Sequence, residues 1–342
     1  MPVLLRNTVV VLIVLAVMLA GLFLFTRLGV QTIEAEHPPA GRFVDVERGR
    51  MHVVELGNRA APAVVLLHGS SINLADMRMA LGDRLERQYH VVLVDRPGHG
   101  WSDRPDGAAD ASPARQAAIL RETLSRIGVG RAILVAHSWA GALALAYALA
   151  YPEQTAGLVL LAPLTHPSSA TSAWHDNFVH FLLDYSMQIA RSPVLGPLMT
   201  RTVILPIGRL TLGLAVRTAF APQSPPADYI AKSGAELLLR PSEFIANAED
   251  VSDVQDALKS QAPRYATINV PTTIITGTDD AVLSPDVNAK ALARVLPDAK
   301  LIVLPGVGHM VHFAAPEQVV GAIADIAREP GQAAADAARQ AR

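Results

Sequence analysis

The stretch Ala132-Ile133-Leu134-Val135-Ala136-His137-Ser138-Trp139-Ala140-Gly141 decides how the rest of the chain is read. Its first five residues are continuously apolar, as in a strand buried on both faces of a parallel sheet, and an apolar helical run opens near Gly141. A serine therefore stands at a strand-to-helix turn. Working outward, Ala63–Leu67, Val91–Val94, Leu158–Leu161, Thr273–Thr276 and Leu301–Leu304 are short apolar runs of the same kind. Helical spacing lies between them: Leu74–Arg87, a helix with Ser112 as N-cap and Pro113 at its first position, one near Pro285–Val295, and a last one around Pro316–Arg328. Upstream, Phe43, Val44 and Val46 precede Arg48-Gly49, and Met51, Val53, Val54 and Leu56 follow, which predicts two strands joined by a tight turn. This alternation predicts a doubly wound, mostly parallel, eight-stranded α/β sheet.

The alternation breaks between 164 and 240, where helical stretches such as Trp174–Ile189 and Arg201–Thr218 are separated by proline-containing turns. The expected organisation is a core over 41–163 and 241–328, interrupted by a helical cap over 164–240. Residues 329–342 lack aromatic and branched apolar side chains and read as a disordered tail.

Several segments give the serine a chemical context. Ala136 and Ala140, two residues either side of Ser138, are small enough to let a strand and a helix close on a sharp turn, as in a nucleophile elbow. The strand Ala63–Leu67 ends in His68-Gly69-Ser70-Ser71, and Val94-Asp95 runs on into the glycine-bearing turn Gly98-His99-Gly100-Trp101-Ser102. Ile274-Ile275-Thr276-Gly277-Thr278-Asp279-Asp280 carries two carboxylates after a strand. In Leu304-Pro305-Gly306-Val307-Gly308-His309-Met310, glycines free the backbone to swing a histidine toward the serine; His312 is its nearby competitor. His68 reads as structural and His99 as a surface or loop histidine.

From about Gly41 to Arg328 the chain resembles the α/β-hydrolase superfamily, with alanines at 136 and 140 where that family usually has glycine. The resemblance implies Ser138 as nucleophile and His309 as base. The family places its acid three residues after the strand-ending glycine, which selects Asp280 over Asp279. The oxyanion donors implied are the backbone N–H groups of Ser70 and Trp139. The implied activity is carboxylic ester hydrolysis through an acyl-enzyme, with no metal or organic cofactor. A serine at the elbow sets the chain apart from members that use an aspartate there, the haloalkane dehalogenases and epoxide hydrolases. Carbon–carbon bond hydrolysis, a proline-iminopeptidase-like aminopeptidase and a non-catalytic binding protein are the alternatives. The aminopeptidase would need cap carboxylates, and the first cap helix offers only Asp176 and Asp184. Trp174, Phe178, Phe181, Leu182, Tyr185, Leu195, Leu198, Ile204, Leu205 and Ile207 give the cap apolar surface for packing or for an acyl pocket.

Among 342 residues, 29 Lys and Arg against 31 Asp and Glu leave a net charge of −2, with no basic cluster of the kind that holds nucleic acid. Absence of cysteine excludes disulfides and a thiol nucleophile. Val9–Phe25 is an unbroken run of apolar residues and glycine between Arg6 and Arg27; with its flanking threonines it spans roughly 28 Å as a helix, close to a bilayer core. Leu24-Phe25-Thr26-Arg27 offers no small-residue cleavage pattern, so residues 1–30 read as an uncleaved signal anchor, with secretion after cleavage as the alternative. Pro38 and Pro39 mark a linker over 31–40. The short stretch before the span, with Arg6, favours a catalytic domain outside the cytoplasm.

Overall fold

The computed structural model describes residues 3–167 and 185–340. Eight strands form one sheet: β1 Arg42–Val46, β2 Gly49–Leu56, β3 Ala63–Leu67, β4 His90–Val94, β5 Ala132–His137, β6 Thr155–Leu161, β7 Thr272–Gly277 and β8 Ala299–Leu304. Their order is β1-β2-β4-β3-β5-β6-β7-β8, with β2 antiparallel to both its neighbours, β1 and β4, and every other pair parallel. The helices used below are α1 Val3–Glu36, α2 Pro113–Arg126, α3 Ala140–Ala150, α4 Leu195–Thr200, α5 Ile204–Phe220, α6 Pro241–Gln261, α7 Ala289–Val295 and α8 Pro316–Gln340.

β4 and β5 are buried at every residue, which explains their continuous apolar runs. Apolar clusters cover both faces of the sheet. One gathers Val65, Leu134, Leu143, Leu160 and Leu292, and the other Val64, Leu93, Val135, Leu161 and Ile323. Ser112 caps α2 by accepting the Arg115 N–H at 3.2 Å, with Pro113 at the first helical position. The expected helix Leu74–Arg87 is present but irregular, with wider turns over Arg78–Gly82.

Three boundaries differ from the expectation. The first helix does not stop near residue 30; it runs to Glu36 and takes in part of the expected linker, because Thr26, Gly29 and Ile33 bury one of its faces against the cap. The last helix continues beyond Arg328 to Gln340, in keeping with the high helix propensity of the alanines there. Helix α6, which brings the chain back from cap to core, was not foreseen, although Pro241 at its first position marks its start. Of the expected helix Trp174–Ile189, the part carrying Trp174, Asp176, Phe178, Phe181, Leu182 and Asp184 lies outside the described residues, and residues 185–190 are helical.

At 34 residues α1 is about 51 Å long. One helix, Val3–Glu36, is long and apolar enough to cross a membrane, and side chains from Val3 to Phe25 are largely exposed. Its last third packs against α5 and the turn over residues 235–239. Gly29 permits this approach, since a Cβ there would lie 2.9 Å from a methyl of Leu205. Ile33 then packs with Ile204, Leu205, Leu237 and Phe244. Ile204 and Leu205, expected to pack or to line an acyl pocket, do pack, and the partner they take is α1.

Candidate active site

Ser138 follows the last residue of β5 with φ of 55°, in the left-handed region that costs a residue with a side chain about 1 kcal/mol or more. Three hydrogen bonds hold it there. Its N–H donates to the Leu161 carbonyl at 3.0 Å, and its own carbonyl accepts from Gly141 and Leu164, both at 2.9 Å. Ala136 and Ala140 are fully buried, so the core accommodates the two methyl groups. The loop after β3 lies directly against this turn. A Cβ on Gly69 would come within 3.1 Å of both Ser138 Cβ and His137 Nδ1, so only glycine fits without displacing the elbow.

His309 lies beyond β8, and its Nδ1 is 2.9 Å from Asp280 Oδ2. The other oxygen of Asp280 accepts the N–H groups of Val282 and Leu283 at 2.8 and 2.9 Å. Asp279 is exposed and accepts the Thr278 hydroxyl instead. The fold therefore brings Asp280, not Asp279, to the histidine. His137 binds the His309 loop to the elbow: its Nε2 donates to the His309 carbonyl at 3.2 Å, and the two ring centroids are 4.7 Å apart. Burial first, then the neighbouring His312 and His309, pushes the His137 pKa well below its ordinary value, so this ring is neutral. The cap holds the same loop from outside, with Gln223 donating to the Gly306 carbonyl and accepting the Gly308 N–H at 2.8 and 3.0 Å. Among the described residues no hydrogen bond joins His309 to Ser138 Oγ, a contact that commonly tightens only when substrate binds. Nor do the N–H groups of Ser70 and Trp139 donate to any described residue.

His312 is not a rival for His309. It is fully buried and its Nε2 meets Asp76 Oδ2 at 2.9 Å, while Tyr229 donates its hydroxyl to Asp76 Oδ1 at 2.6 Å. Asp76, His137 and His312 gather metal-ligand atom types within 4.8 Å of one another, but the carboxylate is already occupied by these two partners. His99, expected at the surface or in a loop, lies in the loop after β4 but is completely buried, packing against His68 at 5.5 Å between ring centroids. Sequence reasoning also missed Arg96 and Asp250, an ion pair at 2.6 Å in the core beneath the elbow. The available signal was the charged pair Asp95-Arg96 immediately after a buried strand. A surface cavity of about 390 Å³ lined by Arg59, Pro62, His90 and Arg131 opens at the starts of β3, β4 and β5, the end opposite Ser138. Ligands of open α/β sheets bind at the other end.

A family model of the alpha/beta hydrolase fold matches residues 62–316. The chain belongs to this family. It is 28% identical over 293 residues to 2-(acetamidomethylene)succinate hydrolase of Mesorhizobium japonicum, an alignment covering 82% of this chain and 93% of the relative. It is 24% identical to epoxide hydrolase A of Mycobacterium tuberculosis, covering 83% and 96%. Among solved structures it is similar to a bacterial membrane phospholipase A, with a TM-score of 0.65 at 23% identity over 96% of this chain and all of that one. Within the alpha/beta hydrolase family, then, the chain is a hydrolase acting on a small-molecule substrate, and its own site must supply the choice of bond.

Proposed function

We propose that the protein is a membrane-anchored serine hydrolase that cleaves a carboxylic ester or related acyl bond. The observation that carries this reading is a serine in left-handed conformation at the elbow, in the same site as a histidine held by a buried aspartate. His309 Nε2 takes the Ser138 proton, Oγ attacks the carbonyl carbon, and the N–H groups of Ser70 and Trp139 receive the oxyanion. His309 gives the proton to the leaving alkoxide; a water that His309 then deprotonates attacks the acyl-serine, and His309 passes that proton to the departing Ser138 Oγ, releasing the acid and restoring the free serine. Asp280 holds the Nδ1–H and stabilises the imidazolium in both halves.

The named activity of the epoxide hydrolase relative does not transfer readily to this site. A serine oxygen that opens an epoxide or displaces a halide becomes an ether, which water activated by a histidine does not cleave. A carboxylate nucleophile would instead become an ester, which water does cleave. Ser138 therefore favours substrates with an acyl carbon.

The exposed apolar length of α1 supports the anchor, and its docked end would hold the cap near the bilayer. The catalytic unit is assigned to the extracytoplasmic side; digestion by protease added to intact cells checks that assignment. Labelling with a fluorophosphonate probe tests the chemistry: the native chain should label, and Ser138→Ala and His309→Ala should not. Failure of the native chain to label sinks the reading, and labelling of Ser138→Ala shows that the nucleophile lies elsewhere.

A further inference from the structure

A trans peptide is a rigid plane whose carbonyl and N–H point in opposite directions. The Ser70 N–H therefore points wherever the Gly69 carbonyl does not. That carbonyl accepts two hydrogen bonds, from Arg96 Nη2 at 3.0 Å and from His68 Nδ1 at 2.8 Å. His68 carries its proton on Nδ1, because its Nε2 accepts the Arg96 N–H at 2.9 Å. Arg96 Nε donates to the His68 carbonyl at 3.1 Å, so one guanidinium grips two successive carbonyls of the loop. On the far side of Ser70, the Ser71 N–H donates to Asn247 Oδ1 at 2.7 Å, and Asn247 Nδ2 donates to Ser71 Oγ at 3.1 Å.

Both sets of contacts are anchored on α6. Asn247 and Asp250 lie one turn apart on that helix, and Asp250 Oδ2 accepts Arg96 Nη1 at 2.6 Å. Gln116 Nε2 completes the carboxylate, 3.0 Å from each oxygen. The second oxyanion residue joins the same frame. Trp139 Nε1 donates to the Asp250 carbonyl at 3.1 Å, and the Arg96 guanidinium carbon lies 4.2 Å from the centre of the Trp139 ring. Arg96, Asn247 and Asp250 are all buried. A buried ion pair adds little net stability over an apolar pair of the same volume, but an apolar pair has no donors to aim at two carbonyls.

We propose that Arg96, Asp250 and Asn247 are positioning residues that orient the Ser70 N–H toward the oxyanion and tie Trp139 to the same support. The proposal rests on the acyl-serine reading above. It makes α6, the helix that returns the chain from cap to core, the part of the fold that sets transition-state stabilisation. The charge-assisted bond to the Gly69 carbonyl also polarises the peptide and strengthens its N–H as a donor.

Full-length protein in detergent, a short soluble ester and a fluorophosphonate probe test it. Arg96→Lys keeps the charge but loses the fork; kcat and the labelling rate should fall about 100-fold, the loss typical of one oxyanion donor, while KM changes less than about threefold. Ester affinity measured in a Ser138→Ala background should not change with Arg96→Lys. Arg104→Met removes the other cation on Asp250, a contact of 2.8 Å, and touches neither loop carbonyl. It should lower the melting temperature and leave kcat alone. A folded Arg96→Lys enzyme with native kcat, or one whose loss is all in KM, overturns the proposal while leaving Ser138 as nucleophile. If Arg96→Lys does not fold, Asn247→Ala decides: a fall in kcat of about tenfold supports the proposal and native kcat refutes it. A native chain that does not label brings down the acyl-serine reading, and this inference with it.

Discussion

Two acid–histidine pairs pack against the His137 ring. Asp280–His309 and Asp76–His312 have the same 2.9 Å nitrogen-to-oxygen distance, and His137 packs 4.7 Å from one imidazole and 4.4 Å from the other. Their surroundings differ. The remaining oxygen of Asp280 is held by two backbone N–H groups, whereas that of Asp76 accepts a tyrosine hydroxyl. His309 keeps slight exposure on a glycine-bearing loop beside the elbow, while His312 is sealed in the core on the short helix Val311–Ala314. On the acyl-serine reading proposed above, the first pair serves as the base and the second, fully buried, as an internal brace.

Substitution at each pair should show this division. Asp280→Asn leaves His309 without the acceptor that fixes its tautomer, and kcat on a soluble ester should drop by about 10³- to 10⁴-fold with little change in melting temperature. Asp76→Ala should do the reverse. It leaves the Tyr229 hydroxyl and His312 Nε2 unpaired in the core, which costs about 3 to 4 kcal/mol in urea unfolding, while the folded fraction keeps near-native kcat. Equal loss of kcat in both variants would break the comparison and make the second pair part of the catalytic machinery.

A third buried acid sharpens the contrast because its partner is an arginine. Burial, only partly offset by Arg240, pushes the Glu243 pKa up to about 7. Between the ordinary carboxyl value of 4.5 and that pKa the folded chain retains a proton that the unfolded chain has released. Stability should therefore fall as pH rises across this window, by up to roughly 3 kcal/mol, and then level off. Glu243→Gln should flatten that slope in denaturant titrations at pH 4.5 to 7.5. A native slope in the variant would assign the titration to another group. The smallest effect is expected at Asp279, which is exposed: Asp279→Asn should leave both kcat and stability within measurement error.

Much of the fold was legible because it is written in local patterns. Buried parallel strands must be continuously apolar, so Val91–Val94 and Ala132–Ala136 were readable without neighbours. Ser138 was marked by small residues on both sides, and His309 by the glycines before it. The choice of Asp280 over Asp279 depended on family spacing, since both have the same side chain; in the structure burial separates them. The docking of α1 was invisible because its apolar composition already suited a bilayer, and no local rule distinguishes a face meant for lipid from one meant for a cap.

The sequence by itself determined the eight strands along the chain, the serine at the elbow and the presence of a membrane-length apolar helix, since each is set by neighbours in the chain. Tertiary structure alone decided that Asp76 meets His312, and that Arg96 reaches Asp250 across 154 residues to grip the loop before Ser70. Such contacts depend on burial and on the direction of individual donors, which exist only once distant segments have packed.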